Sequence, residues 1–332
     1  MSEAPLVSAR GLSKRFVKTP DLAGRIAGHL GADVREETVH AVDHVDLDIG
    51  KGEVVGLVGE SGCGKSTLGR MIAGLLTPTE GEVLFKGKPR EGRTAAETHA
   101  ARLAIQMIFQ DPFASLNPRS RVEMIVGEAP LVHGMTTRAG LSAYVDDILR
   151  RVGLDPDLKR RYPHQFSGGQ RSRIGIARAL AVKPEFLVCD EAIAALDVSI
   201  QAQIINLFMD LRTEFDLTYL FISHDLGVVQ HITDRVVIMY LGRVVEAAST
   251  EALFAGPNHP YAQALLAEVP RISTSKRTFH PIKGEIPSPL NPPSGCHFHP
   301  RCPHAFDRCR NDVPVLKEIA PGRISACHLN DG

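Results

Sequence analysis

Residues 59–67 read Gly-Glu-Ser-Gly-Cys-Gly-Lys-Ser-Thr and follow directly on the apolar run Val54-Val55-Gly56-Leu57-Val58. Gly-x4-Gly-Lys-Ser at the junction of a predicted strand and a predicted helix is a phosphate-binding pattern. Polyphosphate needs a backbone that turns its N–H groups inward without Cβ collisions, and Gly59, Gly62 and Gly64 permit that turn. The helix that follows adds the positive end of its dipole. Lys65 is placed to reach the β- and γ-phosphates, and the Ser66 hydroxyl to take a Mg²⁺ coordination position. Glu60, Ser61, Cys63 and Thr67 complete the loop and count with it as nucleotide-binding positions.

Working outward from this loop, strands and helices alternate. Residues 6–16 and 39–58 are strand-rich, with a Gly50-Lys51-Gly52 turn, and 17–38 form an excursion rich in Pro, Gly and charge. A helix runs from the loop to Leu76, and a hairpin is expected around Thr79-Glu80-Gly81-Glu82. Residues 94–104 are helical in pattern, Gln106–Phe109 form a short strand, and 118–163 are largely helical. Beyond these come a helix over 168–182, a strand over 186–190, a helix over 200–214, a strand over 218–222 and a closing hairpin over 235–247. This order predicts an α/β fold with a mostly parallel sheet covered by helices on both faces.

Phe186-Leu187-Val188-Cys189-Asp190-Glu191 is an apolar strand that delivers two adjacent carboxylates at its C-terminal end, where ligands bind in open α/β sheets. Phosphoryl transfer to water needs a metal ion, an oriented water and compensation of charge on the γ-phosphate. Asp190 suits the Mg²⁺ shell, and Glu191 suits the general base. Phe166-Ser167-Gly168-Gly169-Gln170-Arg171 opens a second helix with another anion-attracting N-terminus.

That second segment resembles the signature of ABC-type ATPases, with Phe where Leu is more frequent. Further motifs follow in the family's order. The resemblance implies a P-loop ATPase core with an antiparallel β subdomain and an inserted helical subdomain, about 111–166, all within 1–255. It implies that Gln110 senses Mg²⁺, that His224 contacts the γ-phosphate and that Phe16 stacks on adenine. The catalytic set it implies is Glu191, His224, Gln110 and Lys65, with Mg²⁺ held by Ser66, Gln110 and Asp190. Ser167, Gly168, Gly169, Gln170 and Asp197, the last in Ala195-Leu196-Asp197, are implied to act in trans on the nucleotide of a second ATPase subunit. One departure stands out: Ala192-Ile193-Ala194 occupies the place of the family's usual Pro-Thr-Ser.

Gln110–Arg119, Asp197–Gln203, His259-Pro260-Tyr261, Gly284–Pro289 and Asn291–Cys296 narrow the resemblance to ATP-binding subunits of the oligopeptide/dipeptide permease family, F-type. That branch implies ATP-driven import of peptides, with two ATPase subunits, identical or homologous, beneath two transmembrane permease subunits fed by an extracytoplasmic binding protein. Nickel, glutathione or another small solute is the alternative cargo. A soluble, non-transport ABC ATPase is the alternative outside transport.

Past Gly256 the composition changes, and 256–332 is assigned to a C-terminal extension containing Cys296, Cys302, Cys309 and Cys327. In a reducing compartment four thiols so close together suit a [4Fe–4S] cluster or Zn²⁺ better than disulfides. The spacing C-x5-C-x6-C-x17-C lacks a C-x2-C knuckle, and unmetallated thiols are the remaining alternative. Lys plus Arg and Asp plus Glu are 38 each, so the formal net charge is zero. A neutral chain has no long-range pull on nucleic acid, and no nucleic-acid partner is expected. No apolar stretch approaches the roughly 20 residues that span a bilayer, and the N-terminus lacks a secretory profile. A peripheral position on the cytoplasmic face of the cell membrane is expected.

Overall fold

The computed structural model describes residues 4–18, 37–90, 92–194, 196–268 and 284–331. Most of the expected 17–38 excursion lies outside the described residues, as does Ala195.

Two sheets organise the chain. Strands β1 (Val7–Lys18), β2 (Glu37–Ile49), β4 (Glu80–Phe85) and β5 (Lys88–Pro89) form an antiparallel sheet in the order β2-β1-β4-β5. Along β2 the apolar side chains Val45, Leu47 and Ile49 are buried while His44, Asp46 and Asp48 between them are exposed, the alternation expected of a sheet packed on one face. The second sheet has the order β11-β12-β10-β9-β3-β8-β7-β6. Its strands are β3 (Val54–Val58), β6 (Ile105–Ile108), β7 (Phe186–Asp190), β8 (Thr218–Ile222), β9 (Arg235–Tyr240), β10 (Arg243–Ser249), β11 (Lys317–Ala320) and β12 (Arg323–Ser325). Strands β6, β7, β8, β3 and β9 run parallel, whereas β10, β12 and β11 continue the sheet antiparallel. Every residue of β3, β7 and β8 is buried, which is why these segments are uninterrupted apolar runs rather than alternating ones.

The α/β architecture and the largely helical region 118–163 are as expected, and two local expectations change. The helix after the phosphate loop spans Lys65–Ile72 and stops short of Leu76, because Gly74 turns left-handed at φ +75° and its carbonyl accepts a hydrogen bond from Arg90 at 2.9 Å. The hairpin turn lies at Lys86-Gly87, both at positive φ, rather than at Thr79–Glu82. Gly81 serves instead a register shift between β1 and β4. The region 118–163 holds the helices Val122–Val132 and Leu141–Arg151 and the 3₁₀ turn Pro156–Arg160. These helices pack with Gly168–Leu180 through Val126, Val145, Leu149 and Ile174, all nearly solvent-free.

The tail does not stand apart. β12 pairs with β10, Glu246 opposite Ser325, so residues 317–325 close the edge of the main sheet. Arg323 crosses to the fully buried carboxylate of Glu246, Nη2 to Oε1 at 2.6 Å, and the same carboxylate accepts the backbone N–H groups of Asn258 and His259. Phe298, also in the tail, sits edge-on to Tyr240 and tilted against Tyr261, with ring centroids 5.3 and 5.4 Å away.

Candidate active site

The phosphate loop connects β3 to the helix Lys65–Ile72, and its glycines are dictated by crowding. A Cβ on Gly59 would fall 2.2 Å from the carbonyl oxygen of Met239, and one on Gly64, at φ +104°, would fall 2.1 Å from that of Ala41. Neither contact is tolerable, so only glycine lets the loop pass this close to β9 and β2. The loop curls around Lys65, whose ammonium is nearly solvent-free and donates to the carbonyls of Gly59 at 2.7 Å and Glu60 at 3.0 Å.

Strand β7 ends beside this loop. Ser66 Oγ donates to Asp190 Oδ1 at 2.6 Å. Burial pushes the Asp190 carboxyl up from the ordinary carboxylate value, against the Ser66 hydrogen bond, which works in the opposite direction. The next residue, Glu191, has a left-handed backbone at φ +47°, and its N–H is tied to the carbonyl of Ile222 on β8 at 3.0 Å. Glu191 Oε2 accepts from Gln110 Nε2 at 2.6 Å, and its Oε1 stands 3.4 Å from Nδ1 of His224. Gln110 follows β6 and His224 follows β8. Three neighbouring parallel strands thus deliver their C-terminal ends to one carboxylate.

The loop, Gln110 and Glu191 line a cleft of about 300 Å³, together with Val39, Ala41 and Pro289. Phe16 pairs with Val39 across β1 and β2 and leaves its ring 42% exposed beside this wall. Pro289 was not expected there. It comes from the tail, and its carbonyl accepts the N–H of His40 at 3.1 Å.

The second anion-attracting turn lies elsewhere. Ser167 caps the helix Gly168–Leu180 in a reciprocal box with Gln170, at 3.3 and 3.1 Å, and leaves the turn partly exposed. Neither Ser167, Gly168, Gly169, Gln170 nor the exposed Asp197 lines the cleft of its own chain. At the sequence departure, Ile193 is 2% exposed in the core and its carbonyl accepts from Gln201 Nε2 at 3.1 Å. Burial and side-chain capping hold this loop where a proline would otherwise stiffen it.

A profile described as "ABC transporter" matches residues 42–194, and one described as "Oligopeptide/dipeptide transporter, C-terminal region" matches 245–309. A putative peptide import ATP-binding protein of Brucella ovis is 48% identical over 98% of both chains. The oligopeptide transport ATP-binding protein AppF of Bacillus subtilis is 53% identical over 88% of this chain and 90% of its own. The chain belongs to the ABC transporter family of ATP-binding proteins. It is an ABC-type ATPase.

Solved structures agree with this ABC ATPase in fold. One is cbiO1 of Clostridium perfringens, part of an ABC transporter complex, at TM-score 0.62 and 28% identity over 76% of this chain and 92% of its own. Another is a dimeric ATP-binding cassette in a post-hydrolysis state bound to ADP and Pi, at TM-score 0.61 and 27% identity over 74% of this chain and 98% of its own.

Among the described residues of the ABC ATPase no disulfide joins the tail cysteines. Burial above all, with the charges of Cys309, Cys327 and Cys302 adding, pushes Cys296 up to about 11. Burial likewise raises Cys302 and Cys327. Among the described residues no three His, Cys, Asp or Glu side chains are grouped closely enough to hold a metal ion, so the expected metal centre finds no preformed site. Ligation needs thiolates, and burial works against forming them at Cys296, Cys302 and Cys327. Among the described residues no helix is long and apolar enough to cross a membrane.

The residues that the sequence missed are the tail's contributions, Pro289 at the cleft and Arg301 at Glu60. No local pattern announces them, because their partners are more than 200 positions away.

Proposed function

We propose that this chain is the ATP-hydrolysing subunit that powers import of peptides through a membrane permease complex. The observation that carries the ATPase chemistry is the convergence of Lys65, Ser66, Gln110 and Glu191 on one cleft, with Asp190 hydrogen-bonded to Ser66 behind it. The peptide cargo is supported by the tail profile and by the relatives' names. Uptake of a labelled oligopeptide tests it. A strain lacking this chain should lose uptake and regain it from the wild-type copy but not from Glu191→Gln. Unchanged peptide uptake with lost nickel or glutathione uptake would reassign the cargo.

In this mechanism Lys65 and the loop N–H groups bind the β- and γ-phosphates. Ser66, Asp190 and Gln110 supply oxygen ligands suited to Mg²⁺, which when bound neutralises charge on the phosphates and the developing leaving group. Glu191, aimed by Gln110 and backed by His224, accepts a proton from the attacking water. Phe16 offers an exposed ring for the adenine. Ser167, Gly168, Gly169, Gln170 and Asp197 are absent from their own chain's cleft, which supports their use on a second subunit's nucleotide. The assembly then comprises two ATPase subunits, identical or homologous, two permease subunits and an extracytoplasmic binding protein. The chain sits peripherally on the cytoplasmic face, with 1–255 as the ATPase domain and 256–332 as its extension.

A [4Fe–4S] cluster, or Zn²⁺, at Cys296, Cys302, Cys309 and Cys327 is supported by the cysteine pattern of the tail and by the local approach of its segments, where the N–H of Cys296 donates to the carbonyl of Cys309 at 2.8 Å, and it would require the thiols to draw together on loading. Iron and zinc analysis of anaerobically purified protein tests it, and less than about 0.1 equivalents of either metal per chain would remove it.

A further inference from the structure

Arg301 lies in the short 3₁₀ turn His299–Arg301 of the tail, and its side chain is 5% exposed. Its guanidinium meets the carboxylate of Glu60 fork to fork: Nη1 donates to Oε2 at 2.7 Å and Nη2 to Oε1 at 3.0 Å. The Glu60 carboxylate first, then the Tyr240 hydroxyl, hold this guanidinium firmly protonated against the opposing effect of burial. Glu60 is the second residue of the phosphate loop. Its backbone N–H donates to the hydroxyl of Tyr261 at 2.8 Å, and its carbonyl accepts from Lys65 Nζ at 3.0 Å. Only one residue therefore separates the tail's guanidinium from the ammonium that grips the phosphates.

The tail side of this contact is well anchored. Phe298 is 1% exposed against Tyr240 and Tyr261, the two tyrosines that also touch Arg301 and Glu60. Cys296 and Cys302, the latter directly after Arg301, pack against the same apolar cluster. Loosening the cysteine-bearing segment would therefore release Glu60 and leave the loop to be ordered by the nucleotide itself. An unordered loop binds more weakly, because binding must then supply the lost conformational entropy.

We propose that Arg301 is a positioning residue for ATP: it fixes the phosphate loop through Glu60, so that the order of the cysteine tail sets nucleotide affinity. The proposal rests on the loop being the ATP site. A purely structural staple would lower stability and leave affinity alone, and this difference is measurable.

The test uses the full chain, a fluorescent ATP analogue with Mg²⁺, steady-state hydrolysis and a thermal melt. Arg301→Met should weaken MgATP binding about tenfold and raise KM by a similar factor, with kcat changed by less than about twofold. Arg301→Lys, which keeps the charge and loses the fork, should weaken binding about threefold. Glu60→Gln should weaken MgATP binding to a similar degree as Arg301→Met, and the double variant should bind no worse than the weaker single. Affinity within twofold of wild type in a folded Arg301→Met protein overturns the proposal, as do single effects that multiply in the double. If Arg301→Met does not fold, Arg301→Lys and Glu60→Gln decide it by the same twofold limit. A wild-type chain that binds no MgATP would instead remove the ATPase assignment, which keeps the two failures distinct.

Discussion

Gln110 and Glu191 are joined by a 2.6 Å hydrogen bond from the amide Nε2 to the carboxylate Oε2, linking the residue after β6 to the residue after β7. The bond occupies Oε2 and leaves Oε1 facing Nδ1 of His224 at 3.4 Å, on the wall of the phosphate-loop cleft. The left-handed backbone of Glu191, unusual for a side-chain-bearing residue, is tied to Ile222 and holds the carboxylate there. Glu191→Gln preserves the shape and removes the base. Turnover should fall on the order of 10³-fold while ATP affinity stays within about threefold, and the ATP-bound dimer should accumulate on gel filtration. Hydrolysis at the wild-type rate would take Glu191 out of the mechanism.

The Ser66–Asp190 pair gives a metal-dependent prediction. Asp190→Asn removes the charge that a divalent cation needs at the end of β7. MgATP affinity should drop about tenfold or more, whereas binding measured in EDTA should change little. Equal losses with and without Mg²⁺ would argue that Asp190 supports the loop rather than the metal.

Gly64 is the loop's most constrained position. Gly64→Ala combines a strained φ with a Cβ forced onto the Ala41 carbonyl. It should cost about 2–3 kcal/mol in a denaturant melt and abolish measurable nucleotide binding. An alanine variant of wild-type stability and affinity would mean that the loop passes β2 at a greater distance.

The buried pair between Arg323 and Glu246 ties the tail to the main sheet. Arg323→Met leaves the Glu246 carboxylate buried with only backbone donors, and should cost about 3 kcal/mol. Urea midpoints measure this directly. A loss below about 0.5 kcal/mol would show that the tail strands contribute little to the sheet.

His259 should impose an acid limit on stability. It is 1% exposed, its Nδ1 accepts the N–H of Tyr261 at 3.1 Å, and burial lowers it to about 4 from an ordinary 6.5. Between those values the unfolded chain binds a proton that the folded chain refuses. The stability contributed is complete above about pH 6.5 and is lost progressively as the pH falls toward 4, at most about 3 kcal/mol in all. His259→Asn keeps a side-chain acceptor without the titration. Its urea midpoint should fall less than that of wild type between pH 7 and pH 5, and parallel pH profiles would exclude His259 as the source.

The phosphate loop, the Asp190-Glu191 pair and the capped turn at Ser167 are legible in the sequence. Each is a local pattern, in which chemistry and backbone geometry demand particular residues at short spacing. Strand β7 was legible to the residue, because a fully buried parallel strand must be apolar throughout. The turn at Lys86-Gly87 was not, because Gly81 offers an equally good local signal and only pairing with β1 makes it a bulge.

By itself the amino-acid sequence determined the ATPase core, the order of its elements and the groups that handle phosphate. Only the tertiary structure decided where the tail goes: onto the edge of the main sheet through β12, against the cleft through Pro289, and onto the phosphate loop through Arg301. The physical reason is separation. A short motif carries its own geometry, but an ion pair spanning 241 positions exists only once the whole sheet has brought its two ends together.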